Sequence, residues 1–113
     1  MPLDFVTRLL GNFWRKVFGH PSLLLTRDDE ELPDRLKSGT IYLVGEGEYL
    51  WYAAMLCPCQ CGETLHMNLM PHSRPRWKVT RHQDGTVTLH PSVWRLMGCR
   101  SHFFVRCSRI VWL

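Results

Sequence analysis

Three cysteines, Cys57, Cys59 and Cys61, occupy alternate positions in one short stretch, and Cys99 follows much later in the chain. Thiolate sulfurs are common ligands of zinc, which binds four ligands tetrahedrally with Zn–S distances of about 2.3 Å. A free cysteine can also act as a small apolar core residue. Three cysteines within five residues are too dense for that use, so the pattern predicts one structural zinc ion.

His102 follows Cys99 by three residues, a spacing that is common for a second pair of zinc ligands. Two ligand sets are therefore open. One consists of Cys57, Cys59, Cys61 and Cys99, and the other combines His102 and Cys99 with two of the clustered cysteines. A closed shell of four ligands is typical of a structural site.

Ser101 lies between Cys99 and His102, so a metal site would fix its backbone. A serine hydroxyl becomes a nucleophile when a neighbouring base accepts its proton. His102 would point to the opposite face of a strand, whereas His66 lies on the polar side of the strand expected after the cysteines. The residues thus indicate Ser101 as a candidate nucleophile and His66 as its base, with Glu46, Glu48 or Glu63 to orient the imidazole. An isolated serine or histidine is more often an ordinary surface or hydrogen-bonding residue, so the residues alone favour that role over catalysis.

Alternating apolar and polar residues predict a series of short strands that would position these side chains. The expected strands are residues 40–44, 49–56, 63–69, 76–82, 86–90, 102–106 and 109–112. Residues 28–31 read as an acidic loop, and 32–39 and 91–96 as helical turns. Short connections, among them Asp84-Gly85, favour antiparallel hairpins. We expect a mainly β fold, a small antiparallel β-sandwich or partly open barrel with zinc at one end.

The N-terminal region has a different pattern, with apolar residues at helical spacing from Leu3 to Phe18. This predicts an amphipathic helix that could pack on the domain, bind a partner or contact a membrane surface. The expected division is residues 1–26 for the helix and its linker and 27–113 for the zinc-stapled β domain.

The distribution of charge and the number of cysteines indicate which partners and which cellular compartment to expect. Residues 1–56 carry six Lys/Arg against eight Asp/Glu, and residues 57–113 carry eight against two. A basic half could face an acidic protein, nucleic acid or an anionic membrane. Five cysteines, three of them clustered, favour a reducing cytoplasm over a disulfide framework. The longest apolar run, residues 50–57, is too short to span a bilayer, and no signal peptide is evident.

Five stretches together resemble a small bacterial family of domains of unknown function. They are Cys57-Pro58-Cys59-Gln60-Cys61-Gly62, Pro75-Arg76-Trp77, Asp84-Gly85-Thr86-Val87, Pro91-Ser92-Val93-Trp94 and Cys99-Arg100-Ser101-His102-Phe103. Members are encoded beside ubiquitin-like modifiers and their E1-like and E2-like enzymes. The similarity covers roughly residues 32–112, and Gln60 replaces a glycine of the family pattern.

The resemblance implies a role in a bacterial ubiquitin-like, antiphage-type pathway, as a serine-type peptidase that trims or removes the modifier at its C-terminus. Ser101 would then be the nucleophile. Two alternatives are a non-catalytic zinc-stapled adaptor that binds the modifier or its conjugation enzymes, and a zinc module that binds nucleic acid through the basic half. Nucleic acid is the less favoured partner.

Overall fold

Eight strands build the part of the chain that the computed structural model describes, residues 23–113. The predicted N-terminal helix lies outside these residues, and the division at residues 26 and 27 stays a prediction. The strands are β1 (Leu25–Asp29), β2 (Thr40–Glu46), β3 (Tyr49–Leu56), β4 (Thr64–Asn68), β5 (Lys78–Arg81), β6 (Val87–Trp94), β7 (His102–Arg106) and β8 (Arg109–Trp112). The prediction of a mainly β fold is confirmed.

The strands form two four-stranded sheets, each in sequential order: β1 to β4 in the first sheet and β5 to β8 in the second. All neighbours pair antiparallel except β1, which runs parallel to β2. The expectation of an acidic loop at 28–31 is therefore wrong for Asp28 and Asp29. Both belong to β1, an edge strand whose polar side chains are at least partly exposed to solvent.

The main core lies between the two sheets. Apolar side chains of both sheets alternate inward, with Ile41, Met55, Leu89 and Phe103 almost fully buried. In β6 and β7 the outward residues are more exposed, as the period of two predicts, whereas Tyr42, Val44 and Ala54 on the outward side of the first sheet are also buried. The two sheets are therefore the two layers of a small sandwich.

The outer face of the first sheet is covered by the segment that connects β1 to β2. Leu32 and Leu36 pack on Tyr42 in a second, smaller apolar cluster, and the Lys37 amide donates to Tyr42 Oη at 2.9 Å. The helical turn expected at 32–39 does not form, and residues 23–113 contain no helix that could span a membrane.

The outer face of the second sheet is not covered by any described segment. It carries Ser92 and Trp94 of β6 and outward residues of β7 and β8. Within residues 23–113 the sandwich is thus asymmetric, with one covered sheet and one that we call the open sheet.

Strand β6 continues where the sequence predicts a helical turn. Leu89 pairs with Val105 and Val93 pairs with Phe103, so three residues of β6 stand opposite a single residue of β7. Such bulges bend a strand and redirect its side chains. The bulge contains Ser92 and the cis His90–Pro91 peptide bond.

Candidate functional site

The four expected cysteines converge at one end of the sandwich. Cys57 directly follows β3 of the first sheet, and Cys99 lies in the connection between β6 and β7 of the second sheet. The intervening turn folds back through positive φ angles at Gln60 and Gly62, and the Cys57 amide donates to the Glu63 carbonyl at 2.8 Å. Gly62, at φ +88°, adopts a backbone conformation that glycine tolerates best.

The four sulfur atoms lie within 4.8 Å of one another. Cys57 Sγ is 3.3 Å from Cys59 Sγ and 3.6 Å from Cys99 Sγ. Ligands at about 2.3 Å around one ion would lie about 3.8 Å apart at the corners of a tetrahedron. The cluster could therefore hold a metal ion, and its all-sulfur donor set is consistent with zinc.

Ser101 and Arg95 make polar contacts with this cluster. Ser101 is buried, and its Oγ lies 3.1 Å from Cys99 Sγ and 3.7 Å from Cys57 Sγ. Arg95 Nη1 donates to Cys99 Sγ at 3.4 Å and to Cys61 Sγ at 3.6 Å. These groups stabilise negative charge on sulfur, as the surroundings of a thiolate metal site do.

The cysteines differ in how readily they ionise. The hydrogen bond from Ser101 lowers the pKa of Cys99 to about 5, whereas burial raises the pKa of Cys57 to about 12. Burial penalises the thiolate because it removes water from the charge. A divalent cation would reverse that penalty, since its own charge favours the deprotonated ligand.

His102 lies on the opposite face of the second sheet from Ser101. Its Nε2 is 2.9 Å from Ser92 Oγ, and its ring stacks on Trp94 with centroids 5.0 Å apart and planes 16° apart. Within residues 23–113, the four cysteines are close enough together to bind one metal ion, and His102 is not part of this cluster. A serine hydroxyl in hydrogen-bond contact with an imidazole is the arrangement that activates a nucleophile.

His66 lies on the outer face of the first sheet. It pairs with Ala54 of the smaller apolar cluster, and its ring is 5.5 Å from that of Tyr52. The structure contains no hydrogen bond between His66 and Ser101, whose hydroxyl contacts the cysteine sulfurs. In residues 23–113, no carboxylate, including those of Glu46, Glu48 and Glu63, hydrogen-bonds to either His66 or His102.

The two sites are connected through the backbone. The Arg95 amide donates to the Ser101 carbonyl at 2.8 Å, which joins the end of β6 to the start of β7 beside the cysteines. Trp94 and His102 are the next pair in register. The cysteine cluster therefore holds the segments that carry Ser92 and His102.

Sequence patterns do not indicate Ser92 as a site residue, because Pro91 predicts the start of a helical turn there. The alternation of Val87, Leu89 and Val93 continues through this region and was the available signal for a longer strand. The contact to His102 also depends on the register of β6 and β7, which local sequence does not specify.

A family model described as "Bacterial ubiquitination-like system serine protease (BubE)" matches residues 28–113. The chain belongs to the BubE family. The match confirms the resemblance to a bacterial family of a ubiquitin-like pathway and includes all four clustered cysteines, Ser92, Ser101 and both candidate histidines. No curated protein and no solved structure matches the chain.

The BubE family description names a serine protease, and the structure offers two serines in distinct chemical settings. Ser92 contacts an imidazole, whereas Ser101 contacts thiol sulfurs. The geometry distinguishes a serine next to a base from a serine next to potential metal ligands.

Proposed function

We propose that the chain is a serine-type peptidase that trims or removes a bacterial ubiquitin-like protein at its C-terminus, with Ser92 as nucleophile and His102 as base. The observation that carries the proposal is the 2.9 Å contact between Ser92 Oγ and His102 Nε2. The family description supports both the serine chemistry and the pathway.

Ser92 is favoured over Ser101 by its surroundings. A general base must lie within hydrogen-bond reach of the proton that it removes. His102 meets that condition for Ser92, which is half-buried on the open sheet face. Ser101 is 9% exposed, and its hydroxyl already contacts two sulfur atoms. The pair of Ser101 and His66 stays a prediction from sequence, and the same experiment tests it.

In the proposed reaction, these two residues, the substrate and water account for every bond and proton that changes. His102 Nε2 accepts the Ser92 proton while Ser92 Oγ attacks the scissile carbonyl carbon. The imidazolium then donates that proton to the departing amine, and the peptide C–N bond breaks to leave an ester on Ser92. His102 next deprotonates a water molecule that attacks the ester, which releases the new carboxyl terminus and restores the serine hydroxyl.

We further propose that the cysteine cluster holds one structural zinc ion through Cys57, Cys59, Cys61 and Cys99. Four protein ligands complete a tetrahedral shell, which is typical of structural rather than catalytic zinc. The ion would neutralise part of the thiolate charge, and Arg95 would balance the remainder through its contacts with Cys61 and Cys99. His102 then remains available to Ser92. The proposed setting is the bacterial cytoplasm, where thiols stay reduced.

The decisive experiment combines a covalent serine-hydrolase probe with a cleavage assay. The chain is incubated with a fluorophosphonate and, separately, with a tail-extended bacterial ubiquitin-like protein, and the products are weighed by mass spectrometry. We expect the probe on Ser92 and a shortened modifier. Ser92→Ala should lower cleavage by at least about 100-fold, because loss of the nucleophile also leaves the acid–base catalysis of His102 without the proton on which it acts, with zinc content and melting temperature unchanged.

Ser101→Ala is the matched control, because it removes the other candidate hydroxyl. It should keep probe labelling at Ser92 but reduce zinc retention, since Cys99 loses its hydrogen-bond donor. Loss of cleavage in Ser101→Ala and full activity in Ser92→Ala would instead support the sequence-based pair. Binding of the modifier without labelling or cleavage by the unmodified chain would favour the adaptor.

A further inference from the structure

Two arginines stand directly opposite each other on the open sheet. Arg106 ends β7, Arg109 begins β8, and the register pairs them across the tight turn at Cys107 and Ser108. Both side chains are exposed. They point outward, because their neighbours Val105 and Ile110 form the next pair and are buried in the core.

Like charges directly opposite each other in an antiparallel pair destabilise a sheet. Arg106 makes one favourable contact, a cation–π interaction in which its Cζ lies 4.2 Å from the centroid of the Phe104 ring. Arg109 makes no salt bridge to any described residue, and residues 86–113 include no Asp or Glu at all. The charge on this part of the sheet is therefore uncompensated within the described chain.

The same face carries Ser92 and His102. His102, Phe104 and Arg106 alternate outward along β7, and a strand advances about 3.3 Å per residue, so the arginine pair lies about 13 Å from the imidazole. Trp94, beside His102, is 62% exposed. The face thus combines an exposed aromatic side chain near Ser92 with two positive charges about 13 Å from the imidazole.

We infer that the outer face of the second sheet, from Ser92 and Trp94 to Arg106 and Arg109, is the docking surface for an acidic face of the ubiquitin-like protein, an inference that rests on the proposed function. The modifier's body meets the arginines while its extended tail reaches Ser92. Charge complementarity selects this occupant, because a basic surface next to a peptidase pair fits an acidic protein substrate. Exposed aromatic rings at the centre of such a surface are typical binding anchors.

The test reverses one charge and leaves Ser92 and His102 untouched. In Arg109→Glu, the new carboxylate stands opposite Arg106, so an unfavourable pair becomes a favourable one and the melting temperature should hold or rise. Binding of the mature modifier and kcat/KM for its tail-extended form should each weaken by up to about fivefold at low salt, the upper end of the range for an exposed charge contact. The deficit should shrink as salt screens the charges.

Arg35→Glu is the matched control. It makes the same change of charge at an exposed residue of the segment that covers the first sheet, on the far side of the sandwich. It should leave binding and kcat/KM at the unmodified values. Fluorophosphonate labelling of Ser92 should be equal in all three proteins, because the probe is too small to reach the arginines.

Equal binding by Arg109→Glu and the unmodified chain would overturn the docking surface, and so would an equal loss in Arg35→Glu. Tight, salt-sensitive binding of a single-stranded oligonucleotide that depends on Arg109, without modifier binding, would assign the face to nucleic acid instead. Failure of the peptidase proposal gives a different result: modifier binding would still depend on Arg109, but no variant would be labelled at Ser92.

Discussion

At the scale of single residues, His102 is oriented by an aromatic ring. In many serine hydrolases a carboxylate holds the imidazole of the base in position. The described part of this chain offers His102 no such carboxylate, and the contact on its ring plane is the stacked indole of Trp94. Trp94 is thus a positioning residue for the proposed base.

Replacement of Trp94 should affect the reactivity of Ser92 without affecting the metal. Aromatic pairs contribute about 0.5–1.5 kcal/mol beyond the area that they bury, so Trp94→Ala should slow fluorophosphonate labelling by about two- to tenfold. Trp94→Phe keeps a stacking ring and should retain most of the rate. Trp51→Ala, a half-exposed tryptophan of the first sheet, is the control. Equal rates in Trp94→Ala and Trp94→Phe would show that stacking does not position His102.

At the scale of elements, the turn between β5 and β6 is stabilised by a charged side chain. Asp84 Oδ1 accepts hydrogen bonds from Thr86 Oγ1 at 2.6 Å and from the Thr86 amide at 2.9 Å. These bonds favour the carboxylate and hold the pKa of Asp84 below its usual range. Gly85, with φ +87°, completes the loop.

The Asp84 contribution should depend on pH with a definite sign. A carboxyl group with a lowered pKa stabilises the folded state at pH values above its unfolded pKa of about 3.9, and this stabilisation disappears as the pH falls through the folded pKa. Chemical denaturation should therefore show the unmodified chain to be more stable than Asp84→Asn at pH 7. The two should converge below about pH 4. A constant difference across this range would contradict the assignment.

Local sequence patterns predict some of the strands and not others. Strands β3, β7 and β8 were predicted with their observed ends, because apolar residues and turn residues delimit them locally. Strand β1 was missed because its Leu-Thr-Arg-Asp-Asp sequence is polar and its parallel partner becomes adjacent only through a long connection.

The candidate site was only partly predictable for the same reason. Clustered cysteines identify themselves by spacing, and the structure brings Cys99 to them as the sequence suggested. The contact between Ser92 and His102 requires a bulge and a strand register, which arise from packing between distant parts of the chain. Sequence patterns therefore indicate Ser101 and His66, a pair that stays a prediction, and do not reveal the contact between Ser92 and His102.

At the scale of the whole molecule, the cysteine cluster joins the two sheets at one end. Cys57 belongs to the end of β3, whereas Cys99 belongs to the second sheet. A metal ion bound there would link the two sheets directly, in addition to the apolar core between them. Metal binding to such sites contributes folding free energy.

Removal of the metal should loosen the molecule without unfolding it at room temperature, since the core between the sheets remains. A loss of 2 kcal/mol would lower the melting temperature of a domain of this size by about 10 °C. We expect at least that shift on chelation or in Cys61→Ser, with loss of the bound ion. Cys107→Ser, an exposed cysteine in the β7–β8 turn, should change neither quantity. A melting temperature that is insensitive to chelation would argue against a structural ion.

The residues that precede β1 contact the second sheet. Leu23 and Leu24 share one apolar groove of about 340 Å³ with Ile110 and Trp112, and the Leu24 amide donates to the Ser108 carbonyl at 2.7 Å. This hydrogen bond joins the residue before β1 of the first sheet to the β7–β8 turn of the second sheet, so the two sheets are connected here as well as at the cysteine cluster.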